Sequence, residues 1–118
     1  TATEQVTTYY KTCLGRSPEK KGLDYHVNLL SSGKSSISQI KEGICNGAEA
    51  QKYIASQIKK QNPKIGDSDL KKAVNATIIA VPTNITSGFV LSKAITAGIS
   101  KVFGVSRPKW YPKEAWKL

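Results

Sequence analysis

Apolar residues recur along this chain at the spacing of amphipathic helices, in six stretches separated by turn residues. The first stripe comprises Val6, Tyr9, Tyr10, Cys13 and Leu14. These positions fall at i, i+3, i+4, i+7 and i+8, which is the spacing of one helical face. Gly15 ends this first predicted helix.

The second predicted helix begins at Ser17 and Pro18, because serine is a good N-cap and proline fits the first helical position. Its apolar face comprises Leu23, His26, Val27 and Leu30. The helix stops at Gly33. Ser36 and Gln39 have the spacing of a capping box, so they predict the start of a third helix.

A fourth helix is predicted over residues 48–60, and it terminates before Asn62 and Pro63. A fifth helix is predicted to begin with Asp67 as its cap. The far end of this helix, residues 78–81, is rich in β-branched residues and could instead form a short strand.

A loop follows over residues 82–88, and a sixth helix is predicted over residues 89–103. The small residues Ala94, Ala97 and Gly98 would allow another helix to approach this one closely.

Together the elements predict an all-α fold, a compact bundle of about six short helices with an extended basic, aromatic C-terminal tail. The predicted organisation is a four-helix module at residues 1–61 and a two-helix extension of the same domain at residues 62–105. Residues 106–118 form the tail.

The charge is the unusual part of the composition. The chain carries 18 basic and 8 acidic residues, a net charge of +10, and nearly all of the basic residues are lysines. An excess of lysine suits acidic protein, phosphate or anionic-lipid surfaces. Sequence-specific nucleic-acid readout favours arginine, so it is not expected here. The charge-free window at residues 73–92 is too polar for a transmembrane helix, and no signal peptide is expected.

Cys13 and Cys45 are the two cysteines, and both lie on predicted apolar helix faces. This position favours two reduced core residues, while a disulfide remains the alternative and requires Cα atoms within about 7 Å. Two cysteines and one histidine do not make spaced pairs of metal ligands, so neither a metal nor another cofactor is expected.

An ordered run of turn and aromatic residues organises the N-terminal half. It comprises Tyr10, Leu14, Gly15, Arg16, Pro18, Gly22, Leu23, Tyr25, Leu30, Gly33 and Glu49. Over residues 6–50 the run resembles the signature of a bacterial domain family of unknown function, approximately Y-x-x-x-L-G-R-x-P followed by G-L-x-Y-W. His26 stands where that signature has tryptophan. The family pattern in turn resembles the linker-polypeptide domain of phycobilisomes.

The resemblance implies a small helical module of bacterial surface, secreted and phage-type proteins, without an established catalytic residue. The likeness to linker domains implies a part that interlocks with others in an assembly. The residues themselves agree with a packing role, since Gly15 and Gly22 permit a tight turn and a close helix approach. Arg16 can bind carbonyl groups at the end of the first helix or pair with Glu49.

His26 is the only histidine, and a histidine on an apolar stripe is more often a core residue than a catalytic base. No serine, aspartate or cysteine forms a recognisable catalytic arrangement with it, and no glycine-rich phosphate loop is present. An enzymatic function is therefore not expected.

The tail interleaves cations with large aromatic side chains. Its candidate partner-binding residues are Arg107, Lys109, Trp110, Tyr111, Lys113, Trp116 and Lys117. Such a segment suits a pocket on a neighbouring subunit, stacked nucleic-acid bases or a membrane interface. The alternative is that Trp110 and Trp116 fold back onto the core of their own chain.

These observations predict a non-enzymatic structural protein that binds neighbouring subunits of a larger particle. The expected context is a bacteriophage virion assembled in the bacterial cytoplasm. Two alternatives stay open. One is a basic protein that contacts packaged nucleic acid without sequence specificity. The other is a membrane-active particle protein that uses residues 89–103 as an amphipathic helix.

Overall fold

A computed structural model describes residues 1–104 and Trp110. The described residues form α1 (Ala2–Tyr9), α2 (Lys20–Ser31), α3 (Ile37–Cys45), α4 (Ala48–Gln61), α5 (Asp67–Ala80) and α6 (Leu91–Phe103). This part of the chain contains no strand, so the predicted all-α fold is confirmed. The helix α5 continues to Ala80, and the alternative of a strand at residues 78–81 is therefore wrong.

The capping box predicted for α3 is present. The N–H of Gln39 donates to Oγ of Ser36 over 3.2 Å, and the N–H of Ser36 donates to Oε1 of Gln39 over 2.8 Å. The start of α2 differs from the prediction, because Glu19 is the N-cap and Lys20 is the first helical residue. Ser17 lies ahead of this helix, where its carbonyl accepts a hydrogen bond from the Arg16 guanidinium.

Two other helix starts differ slightly from the prediction. Gly66 is the N-cap of α5, and Asp67 is the first helical residue. Its carboxylate thus lies at the positive end of the helix dipole, which is favourable. The helix α6 begins at Leu91 because Val90 is extended and serves as its N-cap.

The helix α1 continues directly into a π-helical turn, Tyr10–Leu14. A π turn holds more residues than an α turn and changes the direction in which the following side chains point. Tyr9 and Tyr10, where the α-helix passes into the π turn, are both buried. Gly15, with φ of 68°, ends the element in the left-handed conformation that glycine adopts without strain.

One hydrophobic cluster connects the described helices, and only α2 contributes no fully buried residue to it. Its members are Val6, Tyr9, Tyr10, Cys13, Ile40, Ile44, Cys45, Ala50, Ile54, Ile58, Ile65, Ala73, Val74, Ile78, Val81, Ile85, Ala94, Ile95 and Ile99. The cluster includes residues from both sides of position 62, so the N-terminal helices and the α5–α6 pair share one core. The molecule is elongated, with extents of 47 × 21 × 19 Å.

The side chain of Tyr9 joins α1 to the loop between α5 and α6. Its hydroxyl donates to the carbonyl of Pro82 over 3.2 Å and also to the carbonyl of Thr83. Burial raises the pKa of Tyr9 to about 12, so the hydroxyl remains a donor at neutral pH. The helical spacing placed Tyr9 on the apolar face of the first helix and gave no indication of this contact.

Cys13 in the π turn and Cys45 at the end of α3 form a disulfide, with Cα atoms 5.2 Å apart. Both residues are fully buried. The interpretation favoured by the sequence, a pair of reduced core cysteines, is therefore wrong. The expected apolar environment is present, but helical periodicity does not reveal that the π turn and the end of α3 lie side by side.

Candidate partner-binding surface

The turn after the π-helical segment is held by a network of charged groups. Nε of Arg16 donates to Oε2 of Glu49 over 2.7 Å, and Nη2 donates to Oε1 over 3.0 Å. Nη1 of Arg16 donates to the carboxylate of Glu19 over 3.0 Å. The hydrogen bonds from Arg16 lower the pKa of Glu49. Of the two roles expected for Arg16, the pairing with Glu49 is present and ties this turn to α4.

Tyr10 lies beneath this network. The guanidinium carbon of Arg16 is 5.3 Å from the centre of the Tyr10 ring, within the range of a cation–π contact. The hydroxyl of Tyr10 approaches Gly22 so closely that a Cβ atom at Gly22 would come within 2.8 Å of it. Gly22 thus allows the side chains of Tyr10 and Glu19 to lie directly against the backbone of α2, in agreement with the close approach expected at this glycine. Burial raises the pKa of Tyr10, and the nearby carboxylate of Glu19 raises it further.

Gly15 is covered by the ring of Tyr53 from α4, and a Cβ atom at this position would overlap that ring. Leu14, Pro18 and Leu23 lie around the same turn and are partly buried. Five residues of the signature thus lie around a single turn, namely Tyr10, Gly15, Arg16, Gly22 and Glu49. Their contacts include the side chains of Glu49 and Tyr53 from α4.

His26 occupies a half-buried position in α2 between two tyrosines. Its ring centre is 6.0 Å from that of Tyr10 and 5.1 Å from that of Tyr25, and both contacts are edge-on. Nδ1 of His26 is buried and has no hydrogen-bond partner among the described residues. Burial lowers the pKa of His26, since the charged imidazolium would lose its hydration. The expectation of a histidine on the inner side of its helix thus agrees with the structure.

We expect the free energy of unfolding to fall on acidification because of His26. The unfolded chain protonates this residue near its ordinary pKa of 6.5, whereas the folded state requires a lower pH. Between those two values the unfolded state binds more protons, so stability is lost as the pH decreases. Urea denaturation from pH 7 to pH 5 measures the effect.

The His26→Phe variant is the matched control, because phenylalanine keeps an aromatic ring between the two tyrosines and cannot titrate. Its stability should depend less on pH in this window. Pairing with Arg16 lowers the pKa of Glu49 below its ordinary 4.5, so the contribution of this pair is lost only at lower pH. Equal pH dependence of the two proteins would contradict the assignment.

The outer face of α2 leaves a large aromatic side chain open to solvent near the signature turn. The helix has no fully buried residue. Leu23, Val27 and Leu30 are partly buried on its inner side, against the core, and Leu29 is partly buried one turn after Tyr25. Tyr25 is 62 % exposed, so most of a large aromatic side chain faces solvent. Sequence analysis named Tyr25 as part of the structural motif and did not predict its exposure.

Trp110 is the only tail residue within the described part of the chain, and it contacts its own domain. Its Nε1 donates to Oδ2 of Asp69 over 2.9 Å, and its ring meets the ring of Phe103 edge-on at 5.2 Å. Trp110 also packs against the hydrophobic core. The other candidate residues of the tail, Arg107, Lys109, Tyr111, Lys113, Trp116 and Lys117, lie outside the described residues.

Residues 1–54 match the model of a family described as a domain of unknown function, DUF4214. The match ends within α4 and covers less than half of the chain. This match confirms the predicted resemblance to a bacterial domain of unknown function. No curated protein and no solved structure matched the chain.

Within the described residues, no helix is long and apolar enough to cross a lipid bilayer. The same residues contain no group of three or more histidine, cysteine or carboxylate side chains placed to hold a metal ion. The disulfide also removes both cysteines as ligands.

Proposed function

We propose that this protein is a non-enzymatic assembly module that binds neighbouring protein subunits of a larger particle, with a bacteriophage virion as its context. The observation that carries the proposal is the outer face of α2. A helix that leaves Tyr25 exposed and buries none of its residues fully presents apolar area suited to a protein partner.

The geometry of the signature turn supports the same function. Arg16, Glu19 and Glu49 bind one another, and Tyr53 covers Gly15. These side chains stabilise a rigid support for α2. The resemblance of the signature to phycobilisome linker domains, whose role is to join larger proteins, agrees with this interpretation.

The disulfide between Cys13 and Cys45 supports a mature location in an oxidising environment, such as the surface of a virion. We propose that the chain is made in the bacterial cytoplasm and that the bond forms or persists once the particle is exposed.

Purification of the native particle tests the proposed function. The chain should remain bound to protein subunits after treatment with nuclease and with mild detergent. Chemical cross-linking followed by mass spectrometry should then join it to another protein. Recovery of the chain free of any protein partner under these conditions would refute the assembly function.

Binding to nucleic acid is the second candidate, because exposed lysines occupy one face of α4. Lys52, Lys59 and Lys60 lie within one sector of that helix, and none of them forms an ion pair with a described residue. This candidate predicts sequence-independent binding to duplex DNA that weakens steeply as salt increases. Absence of binding at low salt would eliminate it.

Membrane activity requires α6 to expose its apolar face. In the folded chain Ala94, Ile95 and Ile99 are buried. Liposome leakage that accompanies separation of α6 from α5 would therefore favour this third candidate, and absence of leakage would eliminate it.

A further inference from the structure

The outer face of α2 combines a hollow, an aromatic side chain and two lysines. Tyr25, Asn28, Leu29, Ser31, Ser32 and Lys34 line a hollow of about 530 Å³. Lys21 precedes Tyr25 by four residues, so it lies on the same side of the helix, one turn away. We call the surface formed by Lys21, Tyr25, Asn28, Leu29 and Lys34 the α2 face.

The apolar centre of the α2 face is held in a defined orientation. The ring of Tyr25 contacts His26 edge-on, and His26 contacts the buried Tyr10 in the same way. Leu29 lies one turn after Tyr25 and packs partly against the core. An exposed aromatic residue that is already oriented loses little conformational entropy on binding, which is typical of an anchor in a protein interface.

Around this centre the negative charges are paired within the chain, and two positive charges are not. The carboxylates of Glu19 and Asp24 are already paired, with Arg16 and Lys20 respectively. Lys21 and Lys34 are exposed and form no ion pair with a described residue. The α2 face is therefore an apolar centre with a positive rim.

Complementary charge decides which partner fits this surface. A second copy of the chain would bring another net charge of +10 to it, which opposes association. A segment with acidic residues on either side of an apolar stripe would pair with both lysines and fill the hollow beside Tyr25.

We propose that the α2 face is the docking site for an acidic, amphipathic helical segment of a neighbouring protein subunit. This inference rests on the proposed assembly function and specifies its partner. Leucine-type side chains of that segment lie against Tyr25 and Leu29, and its carboxylates pair with Lys21 and Lys34.

A titration of the isotopically labelled full chain, followed by nuclear magnetic resonance, tests the proposal. The probe is a peptide of about 15 residues with leucine on one helical face and glutamate on the other. It should shift backbone resonances of Lys21, Tyr25, Leu29 and Lys34. Two matched peptides, one with lysine replacing glutamate and one with serine replacing leucine, should bind at least about tenfold more weakly.

Three variants locate the interaction. Tyr25→Ala should weaken binding of the glutamate peptide about tenfold or more. The double variant Lys21→Glu with Lys34→Glu changes only exposed side chains, so it stays folded, and it should weaken binding and remove its dependence on salt. Ile79→Ala is the control, since Ile79 on α5 is 70 % exposed and lies outside the α2 face. It should bind as the unchanged protein does.

The proposal is overturned if the resonance shifts map elsewhere, if the lysine peptide binds equally well, or if the charge-reversal variant binds normally. It is also overturned if a DNA duplex binds the α2 face more tightly than the glutamate peptide, or if the chain dimerises through it. A native particle in which cross-links join the chain to a partner away from α2 would remove this docking site and leave the assembly function intact. A chain that binds the peptide at α2 but has no protein partner in the particle would refute the assembly function, and with it a neighbouring subunit as the source of the segment.

Discussion

Replacement of Cys13 and Cys45 by alanine should lower the free energy of unfolding by about 3–4 kcal/mol. The disulfide closes a loop with a sequence separation of 32 residues, and in the chain-entropy model its loss restores that freedom to the unfolded chain. A domain of this size has a total stability of roughly 5–15 kcal/mol, so the loss is a large fraction of it. Urea denaturation of both proteins under oxidising conditions measures the difference.

A reducing agent provides the control for this prediction. It should destabilise the natural protein toward the level of the double variant, and it should leave the variant unchanged. The natural protein should also show no reactive thiol when it is denatured without a reducing agent, because both cysteines are bonded. Identical urea midpoints for the oxidised and the reduced natural protein would contradict a stabilising disulfide.

Replacement of Gly98 by alanine should destabilise the protein by about 1–3 kcal/mol. A Cβ atom at Gly98 would come within 2.7 Å of the backbone nitrogen of Thr77 and within 2.9 Å of the carbonyl carbon of Ala76. Because backbone atoms of α5 cannot move aside as a flexible side chain would, α6 would have to shift as a whole. The shift would loosen the buried contacts of Ile95 and Ile99.

The matched control is Gly43→Ala, also in the interior of a helix. A Cβ atom at Gly43 would meet no described atom within 4 Å other than the nearby backbone of its own helix. Alanine favours the helix more than glycine does, so this variant should be more stable by about 0.5–1 kcal/mol. Thermal unfolding of both variants distinguishes loss of packing from helix propensity. A stabilised Gly98→Ala protein would mean that α5 and α6 do not approach as closely as the structure indicates.

Local patterns predicted most of the helices because their signals lie within a few residues of one another. The capping box of Ser36 and Gln39 is one such signal, and the end of the first helix at Gly15 is another. The prediction failed at Ser17 and Pro18, where the local signals favour a helix start. There the Arg16 guanidinium binds Glu19 and the carbonyl of Ser17, and the helix begins only after Glu19.

The close contact of α6 with α5 was predicted only in part. Small residues at Ala94, Ala97 and Gly98 indicated that a helix could approach, and Ala94 and Gly98 are indeed buried. Ala97 is exposed. Composition shows that a helix can be approached closely, whereas the rotation of the two helices determines which small residues lie between them.

For the candidate site, the sequence predicted the turn that supports α2 but not the exposed face of α2. Gly15 was expected in a tight turn and Arg16 in a pair with Glu49, and both are present, since Gly15 has a positive φ and Arg16 binds Glu49. The exposure of Tyr25 was not predicted. The apolar stripe of α2, which comprises Leu23, His26, Val27 and Leu30, leaves Tyr25 on another side of the helix, and this spacing was the available signal.

The sequence by itself determined the helical class of this protein, most of its helix boundaries and the packing role of its glycine and arginine turn. Those properties follow from periodicity, capping and backbone preference, which act between near neighbours in the chain. The tertiary structure alone decided that Cys13 and Cys45 are bonded and that Tyr9 binds the loop before α6. Each of these depends on contacts between segments that are distant in the chain. Helical spacing relates only near neighbours, so it could not reveal them.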